Sequence, residues 1–151
     1  MKIALGSDHA GYQLKRHVVD HLKKNGHECE DYGAPNGVDA ASYVPYGQAV
    51  AQAVLSGACD FGIVICGTGL GISITANKYK GIRAALCTNE YMARMSRQHN
   101  DANVLAMGAR VVGSALAFSI VDAFLSEPFE SGGRHQVRVD EIKATEEINF
   151  K

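Results

Sequence analysis

The sequence predicts an α/β fold, a single Rossmann-like, three-layer αβα domain with a five-stranded parallel sheet. Short apolar runs alternate repeatedly with segments whose apolar residues recur at helical spacing. Such alternation is typical of a parallel sheet covered by helices on both faces and connected by right-handed crossovers. The chain is 151 residues long, a length that suits one domain with its own hydrophobic core. We therefore expect one domain over residues 1–151.

The first elements along the chain are a strand, a helix and a second strand. The apolar run at residues 3–5 predicts a buried strand. Apolar residues then recur every four positions from Leu14 to Leu22, with Lys15 assigned to the other face. This pattern predicts an amphipathic helix that ends at Asn25-Gly26. Residues 28–32 follow as a short strand.

The middle of the chain continues the alternation. Pro45 opens the next predicted helix, because proline is favoured in the first helical turn. Residues 61–65 give the strongest strand signal and lead directly into a glycine-rich loop. A helix is predicted to begin in residues 72–78, and a strand follows at residues 82–87. Residues 89–97 then predict a helix.

The last predicted elements are a strand at residues 104–107 and helices at 112–125 and from about 138 to 147. The last helix carries Val139 and Ile142 on one side. We expect this apolar side to pack on a partner subunit.

Bulk composition excludes several classes of protein. The net charge is −1, so nothing draws the whole chain to nucleic acid or to a membrane surface. The start of the chain is too short for a signal peptide and no apolar run reaches membrane-spanning length, which favours a cytoplasmic location. The cysteines form no CxxC pair and are expected to be reduced thiols, namely Cys29, Cys59, Cys66 and Cys87.

The candidate site lies where the strands end, because ligands of parallel sheets bind beyond the carboxyl ends of the strands. Polar residues follow the first, third and fourth predicted strands, at residues 7–9, 66–69 and 88–89. His9 and Cys66 are therefore expected to lie near each other although they are far apart in sequence.

The loop at residues 66–73 is the richest segment. Its three alternating glycines let backbone N–H groups converge on an anion. Ile72 stands where a nucleotide P-loop needs lysine, a dinucleotide fingerprint needs glycine or alanine, and a cysteine phosphatase needs arginine. With these three motifs excluded, the segment is interpreted as an anion-binding loop that begins with the Cys66 thiol. A glycine turn beside a buried structural cysteine is the alternative that the loop alone leaves open.

Several basic side chains could complete such a site. His9 stands at a strand end and His99 lies in a polar cluster, two positions that suit catalysis or ordinary structural hydrogen bonding. Arg134 and Arg138 are one helical turn apart and could hold a phosphate, or they could simply be surface residues. Arg110 follows a strand and is a further candidate.

A metal site is not expected. His17 and His21 have the i, i+4 spacing that can bind a metal ion, but the basic residues around them favour a solvated face.

Four segments together resemble the ribose-5-phosphate isomerase B family, which also contains the galactose-6-phosphate isomerase subunits. The resemblance covers nearly the whole chain. The segments are Gly6-Ser7-Asp8-His9-Ala10-Gly11, Ile65-Cys66-Gly67-Thr68-Gly69-Leu70-Gly71-Ile72-Ser73, Ser96-Arg97-Gln98-His99-Asn100-Asp101 and Gly132-Gly133-Arg134-His135. One branch of that family replaces the cysteine and places a glutamate base where Ile72 stands, so this sequence is similar to the cysteine branch.

The resemblance implies a role for each matching residue. Cys66 would be the general base that moves a proton between C1 and C2, and Asp8 and His99 would handle the sugar hydroxyls and ring opening. The enediolate oxygen would be stabilised by Thr68 and by the amides around Gly67, Gly69 and Gly71. The phosphate would be bound by His9, Arg110, Arg134 and Arg138. Tyr43 and Asn100 would line the sugar, although the family commonly has Asp-Tyr-Pro where this chain has Ser42-Tyr43-Val44-Pro45.

The function implied by this resemblance is the interconversion of ribose 5-phosphate and ribulose 5-phosphate in the pentose phosphate pathway, without metal or cofactor. Two alternatives stay open. The chain could act on a six-carbon sugar phosphate such as allose 6-phosphate or galactose 6-phosphate, or it could bind a sugar phosphate without turning it over. The resemblance also implies a homodimer or a dimer of dimers with sites shared between subunits.

Overall fold

The structure, a computed structural model, describes residues 1–150. Its centre is a sheet of five parallel strands in the order β2-β1-β3-β5-β4. The strands are β1 (Lys2–Ser7), β2 (Glu28–Asp31), β3 (Phe61–Cys66), β4 (Ala84–Leu86) and β5 (Val104–Gly108). The helices are α1 (Tyr12–Lys24), α2 (Val44–Leu55), α3 (Leu70–Ala76), α4 (Glu90–Gln98), α5 (Ser114–Ser126) and α6 (Arg134–Asn149).

Two cores cover the two faces of the sheet, because successive side chains of a strand point to opposite faces. Ile3 and Leu5 of β1 belong to the core that includes residues of α1, α4 and α5. Ala4, between them, belongs to the core formed with α2 and α3, which contains Val50 and Ile72. The predicted three-layer αβα class with a five-stranded parallel sheet is therefore confirmed.

The first and last residues of some helices and strands differ from the sequence-based expectation. β4 has three residues, whereas a strand over residues 82–87 was expected. The N–H of Ile82 bonds a turn carbonyl and that of Arg83 bonds the Asn103 side chain, so neither joins a neighbouring strand. The last helix begins at Arg134, earlier than expected, immediately after Gly133 in an extended conformation.

The prediction that the Lys15 side chain lies on the outer face of α1 is wrong. It is fully buried, at 0% exposure. Its ammonium donates to Asp31 Oδ1 at 2.8 Å and to the Ala34 carbonyl at 3.0 Å, which supplies the partners that a buried charge requires. Val19, four residues later, is also buried. This i, i+4 neighbour was the signal that Lys15 faces inward.

The strand order places a crevice at the carboxyl ends of β1 and β3. From β1 the chain moves first to β2 on one side and later to β3 on the other side. Such a switch in direction separates the loops that leave the two strands and leaves room for a ligand between them. No helix within residues 1–150 has both the length and the apolarity to cross a membrane.

Candidate active site

The turn after β1 packs directly against the end of β3. Gly11 precedes α1, and a β-carbon at this position would lie 2.4 Å from the carbonyl oxygen of Ile65. Only a residue without a side chain permits this approach of α1 to the strand. The turn that contains Asp8 and His9 consequently lies beside Cys66, the last residue of β3.

Asp8 and His9 are both held by backbone groups. Asp8 is 7% exposed, and its Oδ1 accepts the N–H of Gly11 at 3.0 Å, which fixes the start of α1. His9 Nδ1 accepts the N–H of Ala41 at 3.0 Å. A neutral imidazole that accepts at Nδ1 carries its proton on Nε2. His9 therefore has an N–H donor left for an anion.

The Cys66 thiol is held inside the glycine loop. Cys66 is 3% exposed, and its Sγ accepts the N–H of Gly69 at 3.1 Å. The following helix, α3, has only seven residues. The sulfur therefore faces a direct N–H donor in addition to the weak dipole of this short helix. A thiol with an amide aimed at its sulfur is suited to proton transfer.

Gly69 gives the loop its shape. Its φ is +81°, and a β-carbon here would lie 2.5 Å from Leu86 Cδ1 and 2.8 Å from the carbonyl carbon of Met107. The left-handed conformation turns the N–H of Gly69 back toward Cys66 and requires glycine. Thr68 also accepts a backbone N–H of the loop, because its Oγ1 accepts the N–H of Leu70 at 3.2 Å.

Replacing Gly69 with alanine is expected to lower the free energy of unfolding by about 2–4 kcal/mol, because backbone strain and overpacking add. Gly57→Ala is the matched control, since Gly57 has φ +77° and nothing within 4 Å of its β-carbon position. The control should lose only the strain contribution. Urea unfolding of both variants measures the difference, and equal losses would show that Gly69 is not closely packed.

Tyr43 and Arg110 enclose the loop. A β-carbon at Gly71 would lie 2.3 Å from Tyr43 Cζ, so the tyrosine ring packs directly on the loop despite the displaced proline. The Arg110 N–H donates to the Gly67 carbonyl at 3.0 Å. The Arg110 Nη1 lies 3.1 Å from the position of a β-carbon at Gly67. This edge therefore carries a thiol, an aromatic ring and a guanidinium.

The remaining predicted site residues lie at the other end of the strands, beyond their amino ends. We call the two ends of the sheet the Cys66 edge (carboxyl ends) and the His99 edge (amino ends). His99 caps the end of α4, which runs back from the carboxyl end of β4. Asn100 follows, and its carbonyl accepts from Arg83 Nε at 2.9 Å, just before β4 begins. Roughly 15 Å of strand separates the two edges, at about 3.3 Å per residue. One chain therefore does not bring His99 to its own Cys66.

Arg134 and Arg138 lie on the same side as His99. They occupy the first two turns of α6, whose His135 ring stacks on the His99 ring with centroids 3.9 Å apart and planes 11° apart. The site residues thus form two groups. The Cys66 edge holds Asp8, His9, Tyr43, Cys66, Gly67, Thr68, Gly69, Gly71 and Arg110, and the His99 edge holds His99, Asn100, Arg134 and Arg138.

His135 has no role predicted from the sequence, but it is 8% exposed and in contact with His99. Burial lowers the pKa of His135, and the charges of His99 and Arg134 lower it further. The position of His135 beside an arginine in a glycine-rich segment was a sequence signal for a functional role. Its contact with His99 could not be predicted, because His99 lies at the end of another helix.

Two other buried thiols, Cys59 and Cys87, have raised pKa values. Burial raises the pKa of Cys87 to about 11. Burial and the hydrogen bond to Glu30 raise the pKa of Cys59 to about 11 as well. At pH 8 only about a thousandth of such a thiol is ionised, and the thiolate is the reactive form.

Iodoacetamide at pH 8 is therefore expected to modify Cys66 well before Cys59 and Cys87. Peptide mass spectrometry over time measures the order of labelling. Cys59 is the internal control for access, since it is also 3% exposed. Equal labelling rates at Cys59 and Cys66 would contradict an activating effect of the Gly69 N–H on the Cys66 sulfur.

The fold and the Cys66 edge define an α/β protein with a buried thiol in a glycine-rich loop at the carboxyl ends of its parallel strands. Comparison with known proteins identifies the family. The sequence profile of Ribose/Galactose Isomerase matches residues 3–142. The chain belongs to the ribose/galactose isomerase family.

Individual relatives agree over nearly the whole chain. Ribose-5-phosphate isomerase B of Escherichia coli (strain K12) is 53% identical over 146 residues, which cover 97% of each protein. The structure of Clostridium thermocellum ribose-5-phosphate isomerase B is 59% identical and superposes with a TM-score of 0.95, covering 98% of this chain and 99% of that one. A structure of the Mycoplasma genitalium enzyme with bound ribulose-5-phosphate is 41% identical, with a TM-score of 0.92 and coverage of 97% and 96%.

Proposed function

We propose that this chain is a single-domain isomerase that interconverts ribose 5-phosphate and ribulose 5-phosphate in the pentose phosphate pathway, with Cys66 as the general base. One observation carries the proposal: in a member of this isomerase family, the Gly69 N–H is aimed at the Cys66 sulfur at the carboxyl edge of the sheet. The reaction moves one proton between adjacent carbons and involves no net oxidation of the substrate, so the proposed mechanism uses no cofactor.

Proton transfer begins after the sugar ring has opened. His99 and Asp8 assist opening by moving the proton of the C1 hydroxyl to the ring oxygen. The Cys66 thiolate then removes the proton from C2, and the electrons of that C–H bond form the C1–C2 double bond of an enediolate. The thiol returns the proton to C1 while the C2 hydroxyl proton passes to O1, which yields the ketose.

The enediolate oxygen needs donors already in place. Thr68 and the loop amides of Gly67, Gly69 and Gly71 are assigned this role. One such donor is typically worth about 2.7–4 kcal/mol of transition-state stabilisation. Removing a proton next to a carbonyl at neutral pH depends on this stabilisation, because a free thiolate alone is too weak a base.

We propose further that the site is completed by a second copy of the chain. Support comes from topology, because the Cys66 edge holds the base whereas the His99 edge holds His99, Asn100 and two arginines. A twofold axis can bring the Cys66 edge of one subunit onto the His99 edge of the other. Apolar side chains exposed near these edges would be covered in a homodimer or a dimer of dimers, including Leu70, Ile74, Tyr91, Met92 and Val111.

The C-terminal helix fits the same arrangement. Val137, Ile142 and Ile148 of α6 are 56%, 42% and 72% exposed. We propose that α6 packs partly on the partner subunit, while Glu146 anchors it to Gly81 of its own chain.

Phosphate recognition is assigned to His9 and Arg110 of one subunit and to Arg134 and Arg138 of the other. Arginine pairs suit a phosphate because their planar donors match its oxygens. Binding energy at the phosphate orients the reacting carbons. A cytoplasmic location is kept as part of the proposal, since the four cysteines are free thiols.

A coupled assay with ribose 5-phosphate, allose 6-phosphate, galactose 6-phosphate and ribose tests the proposal. The largest kcat/KM is expected for ribose 5-phosphate, and ribose should be turned over poorly because it lacks the phosphate. A preference for a six-carbon phosphate would reassign the substrate. Binding without turnover of any of these sugars would indicate a sugar-phosphate sensor.

A further inference from the structure

Two histidines and a carboxylate form a cluster at the His99 edge, and the isomerisation assigns a role only to His99. One donor atom from each of His99, Glu130 and His135 lies within 4.8 Å of the other two. His135 Nε2 is 3.6 Å from a carboxylate oxygen of Glu130. Two imidazoles and one carboxylate are a donor set that binds zinc with the fourth position open.

We propose that His99, Glu130 and His135 bind a late first-row divalent metal ion, such as Zn²⁺ or Ni²⁺, and that the bound ion withdraws His99 from the sugar. The binding part of this proposal is independent of the proposed function. The inhibitory part rests on the proposed function, because it requires His99 to act in ring opening.

The backbone already holds the three donors together. His99 ends α4, Glu130 lies in the loop after α5, and His135 lies in the first turn of α6. The Glu130 N–H donates to the Gln98 carbonyl at 3.1 Å, which ties the loop to the end of α4. Three segments distant in sequence therefore converge on one point.

Side-chain rotation is needed to convert this cluster into a coordination site. A tetrahedral ion with bonds of about 2.0–2.1 Å needs donor atoms about 3.3 Å apart. The two imidazole planes, now 11° from parallel, must tilt so that both nitrogens face the ion. The Glu130 side chain is 56% exposed and can rotate to become the third ligand.

Charge and protonation determine which ions fit. An imidazole must be neutral to bind a metal ion. Arg134 and Arg138 act against a cation, whereas Glu130 attracts it. Imidazole donors select Zn²⁺ and Ni²⁺ over Mg²⁺ and Ca²⁺, which prefer oxygen.

Titration calorimetry of the untagged full chain with NiCl₂ tests the binding. We expect one ion per chain, binding at least about tenfold weaker in Glu130→Gln and no measurable binding in His135→Gln. Glu141→Gln removes the same charge from an exposed position on α6 and serves as the matched control. It should bind like the wild type, and MgCl₂ should give no signal.

Equal affinity in the wild type and Glu130→Gln, or no binding at millimolar Ni²⁺, would overturn the site. The first result would place the ion elsewhere, for example on the Cys66 thiol. Circular dichroism checks that His135→Gln folds, and the exposed Glu130→Gln variant decides the matter if it does not.

Ribose 5-phosphate turnover tests the inhibitory part. Added Zn²⁺ should reduce the rate, EDTA should restore it, and Glu130→Gln should need about tenfold more metal for the same loss. Metal binding with unchanged turnover would overturn inhibition. If the metal-free chain turns over no sugar phosphate, the proposed function fails while calorimetry still decides the metal site.

Discussion

Cys66→Ala is expected to lower kcat for ribose 5-phosphate isomerisation on the order of 10³-fold, the range that a positioned general base contributes. The reason is local, because the variant loses the group that carries the proton but keeps the loop amides. Binding of ribulose 5-phosphate, measured by calorimetry, should change little. Exchange of the C2 proton with solvent deuterium should disappear together with turnover.

Cys59→Ala controls for the loss of a buried thiol. Cys59 has the same 3% exposure as Cys66 but bonds Glu30, away from the glycine loop. This variant should keep wild-type kcat even if it is less stable. Solvent-deuterium exchange that persists in Cys66→Ala would assign the base to another residue.

The outline of the fold was predictable because its signals are local. Residues 61–65 are a continuous apolar run, and the glycines after Cys66 interrupt it at the point where β3 ends. The carboxyl-end rule then placed His9 and Cys66 on one edge. The same rule could have separated His99 from Cys66, since a helix that follows a strand runs back to the other edge.

Other features depend on tertiary partners that no local pattern reveals. Lys15 can be buried because Asp31 and the Ala34 carbonyl, which follow α1 in the chain, accept hydrogen bonds from its ammonium group. His135 packs on His99, which lies on another helix. The short β4 depends on the Asn103 side chain, which takes the N–H of Arg83. Each of these is a contact between segments that are adjacent only after folding.

Mixing two inactive variants is expected to restore activity if the site is shared between subunits. Cys66→Ala damages only the Cys66 edge and His99→Gln damages only the His99 edge. In a random one-to-one mixture, half of the Cys66 edges and half of the His99 edges are intact. About a quarter of the composite sites should then be complete, since each edge of a symmetric oligomer pairs with a neighbour's other edge.

The measurement is kcat per site after the two variants are unfolded and refolded together, compared with each variant refolded alone. A mixture in which each chain used its own Cys66 and His99 would contain no complete site and would stay inactive. Recovery therefore cannot come from a site within one chain, and its absence in a correctly reassembled oligomer would contradict the shared site. The distance between the two edges favours recovery, because roughly 15 Å of strand is too far for one side chain to bridge.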